Sequence, residues 1–493
     1  MGRQEEIIQE RHKRIEELKK LKIDPYPNKY DVKDYSGELQ EKYVKLANEK
    51  YTKDKVSVAG RIIAFRDMGK IAFGSVQDSK GKIQIVLQEK ETPAKVFDFC
   101  KNFIDIGDFV GVKGTIFRTK RGELSILVSE VAMLSKSILP LPEKFHGIEN
   151  EELKLRKRYL DMIMNQDVRQ MFVRKSAYWN VIRNFLLEKG FIEVETPILE
   201  TSAGGAAATP FKTHHNALDM DVYLRISVGE LWQKKLMVAG LGKTFEIGRI
   251  FRNEGMDAEH LQDYTSMEFY WSYANYEDGM ELVKEMYKKV AKEVYGKMKF
   301  KRGEHEFDFS KDWKIIDFSS EIKKKTGIDV NKATREQIIR KLNELKEECP
   351  ADVNRIRGID LLWKHCRRNI SGPAFLTGQL AELTPLAKRD VKHPDKVQQF
   401  QVIIAGSEVG NGYSELNDAM DQEKRFIEQR KLKDAGDSEA QEHDEGFVEA
   451  LKYGMPPVCG FGTSERLFAF LEDKPIRETV IFPLMKPEAE EGK

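Results

Sequence analysis

Between residues 55 and 134 the chain breaks into short apolar runs that alternate with polar residues. The runs are Val56-Ser57-Val58-Ala59, Ile71-Ala72-Phe73-Gly74-Ser75-Val76, Lys82-Ile83-Gln84-Ile85-Val86-Leu87, Phe109-Val110-Gly111-Val112 and Glu123-Leu124-Ser125-Ile126-Leu127-Val128. Asp78-Ser79-Lys80-Gly81 and Lys120-Arg121-Gly122 supply turns between them. A period of two places one face of each run in a core and the other outward, which is the pattern of strands and not of helices. Five such strands, with a helix-like stretch over 94–103 between the third and fourth, predict a small barrel.

That strand order is of the OB type, whose members present one face to single-stranded nucleic acid. Leu139-Pro140-Leu141-Pro142 follows it and reads as a stiff extended linker, because each proline restricts its predecessor as well as itself. At 493 residues the chain is too long for one core. The expected division is a helical extension over 1–54, the barrel over 55–138, a linker over 139–150 and a larger domain over 151–493. In the extension, charges of both signs surround Ile7, Ile8, Ile15 and Leu18, which predicts a solvated helix packed lightly on the body. Residues 277–370 are rich in lysine and glutamate and read as a helical insertion.

Lys and Arg number 82 against 81 Asp and Glu, a net charge of +1, so any polyanion must be met by local patches. Cys100, Cys349, Cys366 and Cys459 are scattered without a C-x-x-C pair and read as reduced, buried thiols. The polar N-terminus lacks the apolar core of a signal peptide, and no run is long enough to span a bilayer. A cytoplasmic protein is expected, with no membrane partner.

Three separated blocks carry chemistry. In the first, a helix over about 167–189 leads into Gly190-Phe191-Ile192-Glu193-Val194-Glu195-Thr196-Pro197, where proline closes a strand. The second is Phe251-Arg252-Asn253-Glu254, a polar loop through His260, and then Tyr264-Thr265-Ser266-Met267-Glu268-Phe269-Tyr270. An arginine and a carboxylate two apart on a strand share a face and together suit the phosphate and base of one nucleotide. Taken without the other blocks, Arg252 with Glu254 equally suits an exposed ion pair on a strand. The third is Gly460-Phe461-Gly462-Thr463-Ser464-Glu465-Arg466-Leu467. Its glycines let backbone lie against a ligand, and Arg466 at a helix start suits a terminal phosphate.

The order of these blocks resembles the three signature motifs of class II aminoacyl-tRNA synthetases, and a barrel ahead of them resembles subclass IIb, which handles aspartate, asparagine and lysine. From about residue 56 to 487 the chain is similar to lysyl-tRNA synthetases. The segments that carry this are Gly204-Gly205-Ala206-Ala207-Ala208, Thr213-His214-His215-Asn216-Ala217-Leu218-Asp219-Met220, Thr265 to Tyr270, and Glu408-Val409-Gly410-Asn411-Gly412-Tyr413-Ser414-Glu415-Leu416-Asn417-Asp418. The resemblance implies an α+β fold, with a catalytic domain built on an antiparallel sheet flanked by helices. It also implies ATP-dependent activation of L-lysine, transfer of the lysyl group to the 3' end of a lysine tRNA, Mg²⁺ as cofactor and a homodimer.

It further implies residue roles. Glu230 and Glu268 lie near the substrate's amino groups, Glu415 meets the side-chain ammonium with Tyr270 beside it, and Asn411 and the Gly205 backbone add polar contacts. Arg252 grips the α-phosphate, Glu254 the adenine amino group, and Tyr264 one ring face. Arg466 takes the other face and the γ-phosphate, with Gly462 beneath the nucleotide. His260 meets the outer phosphates and Glu408 carries magnesium. On the barrel, Arg61, Phe73, Gln84 and Glu130 fall where the family reads a uridine-rich anticodon. Independently of the resemblance, a site for a cationic side chain must be lined by carboxylates, whereas one for aspartate needs arginine or lysine.

The sequence departs from the family in three places. The third block is one residue short before its acid–arginine pair, residues 225–230 are one residue long, and Gln401 stands where a glutamate near a secondary magnesium is usual. An amide binds Mg²⁺ less strongly than a carboxylate. The alternatives are an aspartyl or asparaginyl enzyme, which the acidic residues disfavour, and a non-catalytic RNA-binding paralogue, which retention of Arg252, Glu254, Glu408 and Arg466 disfavours.

Overall fold

The computed structural model describes residues 2–142, 148–202, 204–206, 208–255, 257–350, 353–434 and 443–487. Residues 143–147 of the expected linker and Ala207 of the 204–208 segment lie outside the described residues. The chain divides into two compact units, Met1–Glu149 and Asn150–Lys493.

In the first unit, β1 (Tyr51–Asp67), β2 (Ile71–Gln77), β3 (Lys82–Gln88), β4 (Phe109–Arg118) and β5 (Leu124–Ser135) close into a barrel in the order β1-β2-β3-β5-β4. Alternation decides what is inside: Val58, Ile62, Ile85, Val110, Val112 and Ile126 are fully buried and share one core. A bulge between Ile62 and Ala64 bends β1, so its first half pairs with β4 and its second with β2. The helix Arg3–Lys20 is tied down more firmly than its charge pattern predicts. Leu18 enters the barrel core, and the buried Arg11 guanidinium donates to the carbonyls of Ile106 (2.9 Å), Ser137 (3.0 Å) and Leu139 (3.0 Å). An arginine that satisfies several carbonyls is a fixed anchor, which a reading of charge as solvation overlooks.

In the second unit, β6 (Ile192–Glu193) follows the long helix Gln166–Glu188. A small sheet is made of β7 (Leu199–Glu200), β8 (Lys212–His215) and β9 (Met220–Leu224). Next come β10 (Lys243–Phe251), β11 (Asp263–Ser272), a hairpin of β12 (Lys299–Arg302) and β13 (His305–Asp308), then β14 (Lys314–Asp317), β15 (Ala374–Thr377), β16 (Gln399–Ile404), β17 (Ser407–Ser414) and β18 (Val458–Ser464). The main sheet runs β14-β15-β16-β17-β18-β11-β10-β6. It is antiparallel from β15 to β10, and each edge adds one parallel strand, β14 and β6, that the purely antiparallel expectation lacks. The region read as a helical insertion likewise holds β12, β13 and β14 beside its helices. Its lysines hide a period of two that buries Phe300 and Phe307.

Alternation along the main sheet separates core from site. Met267, Phe269 and Phe461 turn to the face covered by the helices Gln166–Glu188 and Tyr276–Tyr295, whereas Glu268, Tyr270, Gly460 and Gly462 line the opposite side. Cys100, Cys366 and Cys459 are buried free thiols as expected, but Cys349 is only partly so. Among the described residues no helix is long and apolar enough to cross a membrane.

Candidate active site

A cavity of about 530 Å³ opens on the opposite face of the main sheet from the helices Gln166–Glu188 and Tyr276–Tyr295. Its walls include Gly205, Glu230, Arg252, Tyr264, Glu268, Tyr270, Gln401, Glu408, Asn411, Glu415, Gly462 and Arg466, so twelve of the residues singled out from the sequence meet in one place. Backbone conformation makes two of its walls. Gly205 has φ +87°, and a Cβ there would meet Ser227 Oγ at 2.8 Å and Glu230 Cβ at 2.9 Å. A Cβ on Gly460 would strike the Glu415 carboxylate and the Tyr270 ring, so the third block needs glycine for side-chain space and not only for a ligand.

One end of the cavity is acidic. Glu230 begins the helix Glu230–Val238, Glu268 and Tyr270 project from β11, and Glu415 follows β17. Glu268 accepts from the Val228 amide (2.8 Å) and from Tyr270 Oη (3.1 Å). Burial and then repulsion from Glu230 push the Glu268 carboxyl up to about 7. Glu415 is 2% exposed, and burial raises its carboxyl to about 8 even though Lys234 pulls it down. The Lys234 ammonium lies 2.8 Å from Glu230 Oε1 and 2.7 Å from Glu415 Oε2. Tyr413 donates its hydroxyl to Glu230. Gln399 holds Asn411 by donating to its Oδ1 at 2.7 Å.

The other end is cationic. Arg252 is half-buried, donates from Nε to the Ile226 carbonyl (3.2 Å) and sits 6.0 Å from the Tyr264 ring centre. Arg466 opens the helix Arg466–Leu471 and donates from Nη1 to the Glu408 carbonyl (3.0 Å). The Glu408 carboxylate accepts from Trp363 Nε1 (2.9 Å) and Gln401 Nε2 (3.1 Å). Strand β10 ends at Phe251, so Arg252 and Glu254 lie beyond it and the shared-face argument fails. The Glu254 amide turns back onto the Arg252 carbonyl (3.0 Å), and the exposed Glu254 carboxylate accepts from the Thr209 amide at 3.3 Å, outside the cavity wall. His260 is also exposed and outside the wall, with Nδ1 2.8 Å from the Asp257 carboxylate. The loop's own turn holds His260, and the Thr209 amide from a separate segment holds Glu254, which strand periodicity could not foresee.

On the barrel, Phe73 of β2 and Gln84 of β3 occupy outward positions of adjacent strands, where Phe73 faces Val86 and Ser75 faces Gln84. Gln84 Oε1 is buried and has no hydrogen-bond partner among the described residues. Arg61 pairs across to Gln77, donates to the Gly107 carbonyl (2.8 Å) and stacks 4.2 Å over Phe109. Glu130 stands past the part of β5 that pairs with β3 and is bound by Lys113 at 2.8 Å. The first three share the β1–β3 surface; Glu130 does not join them.

Sequence reasoning missed Lys234, Tyr413 and Trp363. Lys234 stands four residues after Glu230, a helical spacing that was legible. Tyr413 stands two before Glu415, the same strand signal that pairs Glu268 with Tyr270. Trp363 comes from a remote helix, Arg355–Arg367, and had no local signal.

Comparison with known proteins agrees with this geometry. Residues 150–486 match the family of class II tRNA synthetases (D, K and N), and residues 56–134 match the OB-fold nucleic acid binding domain. A lysine--tRNA ligase of Thermotoga maritima is 42% identical over 98% of this chain and 96% of its own length. Those of Fervidobacterium nodosum (41%, over 97% and 94%) and Staphylococcus epidermidis (39%, over 97% and 98%) are similarly close. An OB barrel, a helix-flanked sheet with an acid-lined cavity, and full-length similarity converge: the chain belongs to the lysine--tRNA ligases, within the class II tRNA synthetases (D, K and N).

Proposed function

We propose that this chain activates L-lysine with ATP and transfers the lysyl group to the 3' end of a lysine tRNA. The observation that carries the reading is the cavity's polarity: Glu230, Glu268 and Glu415 at one end, Arg252 and Arg466 at the other. An amino acid with two ammonium groups and one carboxylate fits that axis in one direction only. Buried carboxylates admit an ammonium and repel the aspartate side chain.

In this reading the substrate's ε-ammonium lies against Glu415 beside Tyr270, and its α-ammonium lies against Glu230 and Glu268, with Asn411 and the Gly205 backbone completing the polar contacts. The lysine carboxylate then points towards the α-phosphorus, which Arg252 polarises. It attacks in line, a bond forms between carboxylate oxygen and phosphorus, and the bond to pyrophosphate breaks. No side chain needs to remove a proton, because the nucleophile is already an anion. Arg252 and Arg466 supply charge stabilisation, Tyr264 and Arg466 sandwich the adenine over Gly462, and acceleration comes from positioning and preorganised charge. Glu254 and His260 sit on the exposed loop after Arg252, outside the cavity wall. The terminal ribose hydroxyl of the tRNA then displaces AMP to form the ester.

Magnesium belongs to the same proposal. Among the described residues no group of three or more His, Cys, Asp or Glu side chains forms a metal cluster. The donors at hand, the Glu408 carboxylate with the Gln401 amide beside it, suit an ion held by one carboxylate and the nucleotide's own phosphates. Once bound, it would neutralise charge on those phosphates. Anticodon reading by Arg61, Phe73 and Gln84, a homodimer through the first block and a cytoplasmic setting complete the reading. Amino-acid-dependent exchange of labelled pyrophosphate into ATP tests it. Exchange is expected with lysine; exchange with aspartate or asparagine, or with no amino acid, overturns it.

A further inference from the structure

Lys234 is 1% exposed and takes no part in the cavity wall, yet its ammonium bridges two of the three carboxylates at the acidic end, Glu230 and Glu415. The helix Glu230–Val238 places it one turn after Glu230, and Glu415 reaches it from the end of β17. The aromatic rings around it are Tyr413 at 5.4 Å, Phe447 of the helix Glu445–Lys452 at 5.8 Å and Tyr270 of β11 at 6.0 Å. The charged and titratable groups facing it are therefore Glu230, Glu415, Tyr413 and Tyr270, with Glu268 beyond Tyr270. All of these belong to the acidic end of the cavity. A cation in this position cannot touch substrate, ATP or tRNA, but it governs the groups that do.

Accepting the lysine reading above, we propose that Lys234 is the positioning residue of the substrate pocket: it holds the Glu230 and Glu415 carboxylates in place and matches the pocket's charge to L-lysine. Glu230, Glu268 and Glu415 together with Lys234 carry two net negative charges when ionised, the number needed for the substrate's two ammonium groups. Without Lys234, three carboxylates would crowd one buried space, and at least one would stay protonated and lose its hold on an ammonium. Burial raises the Glu415 carboxyl, and Lys234 is the group that opposes this. The lysine ammonium itself stays protonated, because the attraction of Glu230 and Glu415 outweighs its burial.

The test is Lys234→Met in the full chain, read by lysine- and ATP-dependence of pyrophosphate exchange across pH. We expect the KM for lysine to rise by about ten-fold or more at neutral pH while the KM for ATP changes less than about three-fold. The pH at which lysine affinity is half-maximal should move upward by about one unit, and Lys234→Arg should restore most of the loss. If Lys234→Met does not accumulate as folded protein, the same split is read on Lys234→Gln, which keeps a donor and removes the charge. A parallel rise in both KM values with an unmoved pH profile, or unaltered kinetics, overturns the proposal. Absence of lysine-dependent exchange in the unsubstituted enzyme would instead overturn the functional reading on which it rests.

Discussion

Burial shifts Glu268 and Glu415 towards the protonated form, which does not bind a cation. Their carboxyls rise from 4.5 to about 7 and about 8, chiefly through burial. A raised carboxyl favours the protonated folded state, so its contribution to stability is complete below about pH 4.5 and is lost as pH climbs through 7 and 8. Lysine binding runs the other way, since the ammonium groups need the ionised carboxylates. Affinity for lysine should therefore strengthen by at least about ten-fold between pH 6 and pH 8, with protons released on binding. Calorimetry in buffers of different ionisation enthalpy measures both, and an affinity indifferent to pH would contradict the assignment. These acids were legible from residue type and resemblance. Their altered acidity was not, because it depends on how Lys234, Tyr413 and Tyr270 enclose them, and those neighbours come from separate elements.

At the level of elements, period two was the most dependable guide. It located all five barrel strands and the paired Glu268 and Tyr270, since a strand must alternate if one side is to be buried. It failed where the chain leaves regular structure, as at Glu254, and where charge masked it, as in β12 and β13. The N-terminal helix shows the same limit, because a mixed-charge surface conceals Arg11 as an anchor and Leu18 as a core residue. Leu18→Ala should destabilise the barrel by about 2–5 kcal/mol, the usual consequence of deleting a buried leucine. Hydrogen exchange on the full chain is expected to show lost protection in β1–β5 with the second unit unchanged. Unaltered barrel protection would mean that the helix is only loosely held.

Across the whole molecule, two units carry two tasks, and substitutions should separate them. Arg252→Ala is expected to lower lysine-dependent pyrophosphate exchange by about 100-fold or more, as removal of a preorganised charge does elsewhere. Phe73→Ala should leave exchange intact and reduce tRNA charging by about ten-fold, the worth of one stacked base. Equal damage to both steps by Phe73→Ala would refute the division of labour. The sequence by itself determined the barrel, the order of the three blocks and the acidic character of the pocket, because each depends on periodicity or residue type within a short window. Only the tertiary structure decided which acids meet, that Lys234 lies behind them, that Trp363 and Gln401 hold Glu408, and that Glu254 and His260 stand outside the cavity. The contacts of Glu230 with Tyr413 and of Lys234 with Glu415 join segments more than a hundred residues apart, and burial there sets charge states that no local pattern encodes.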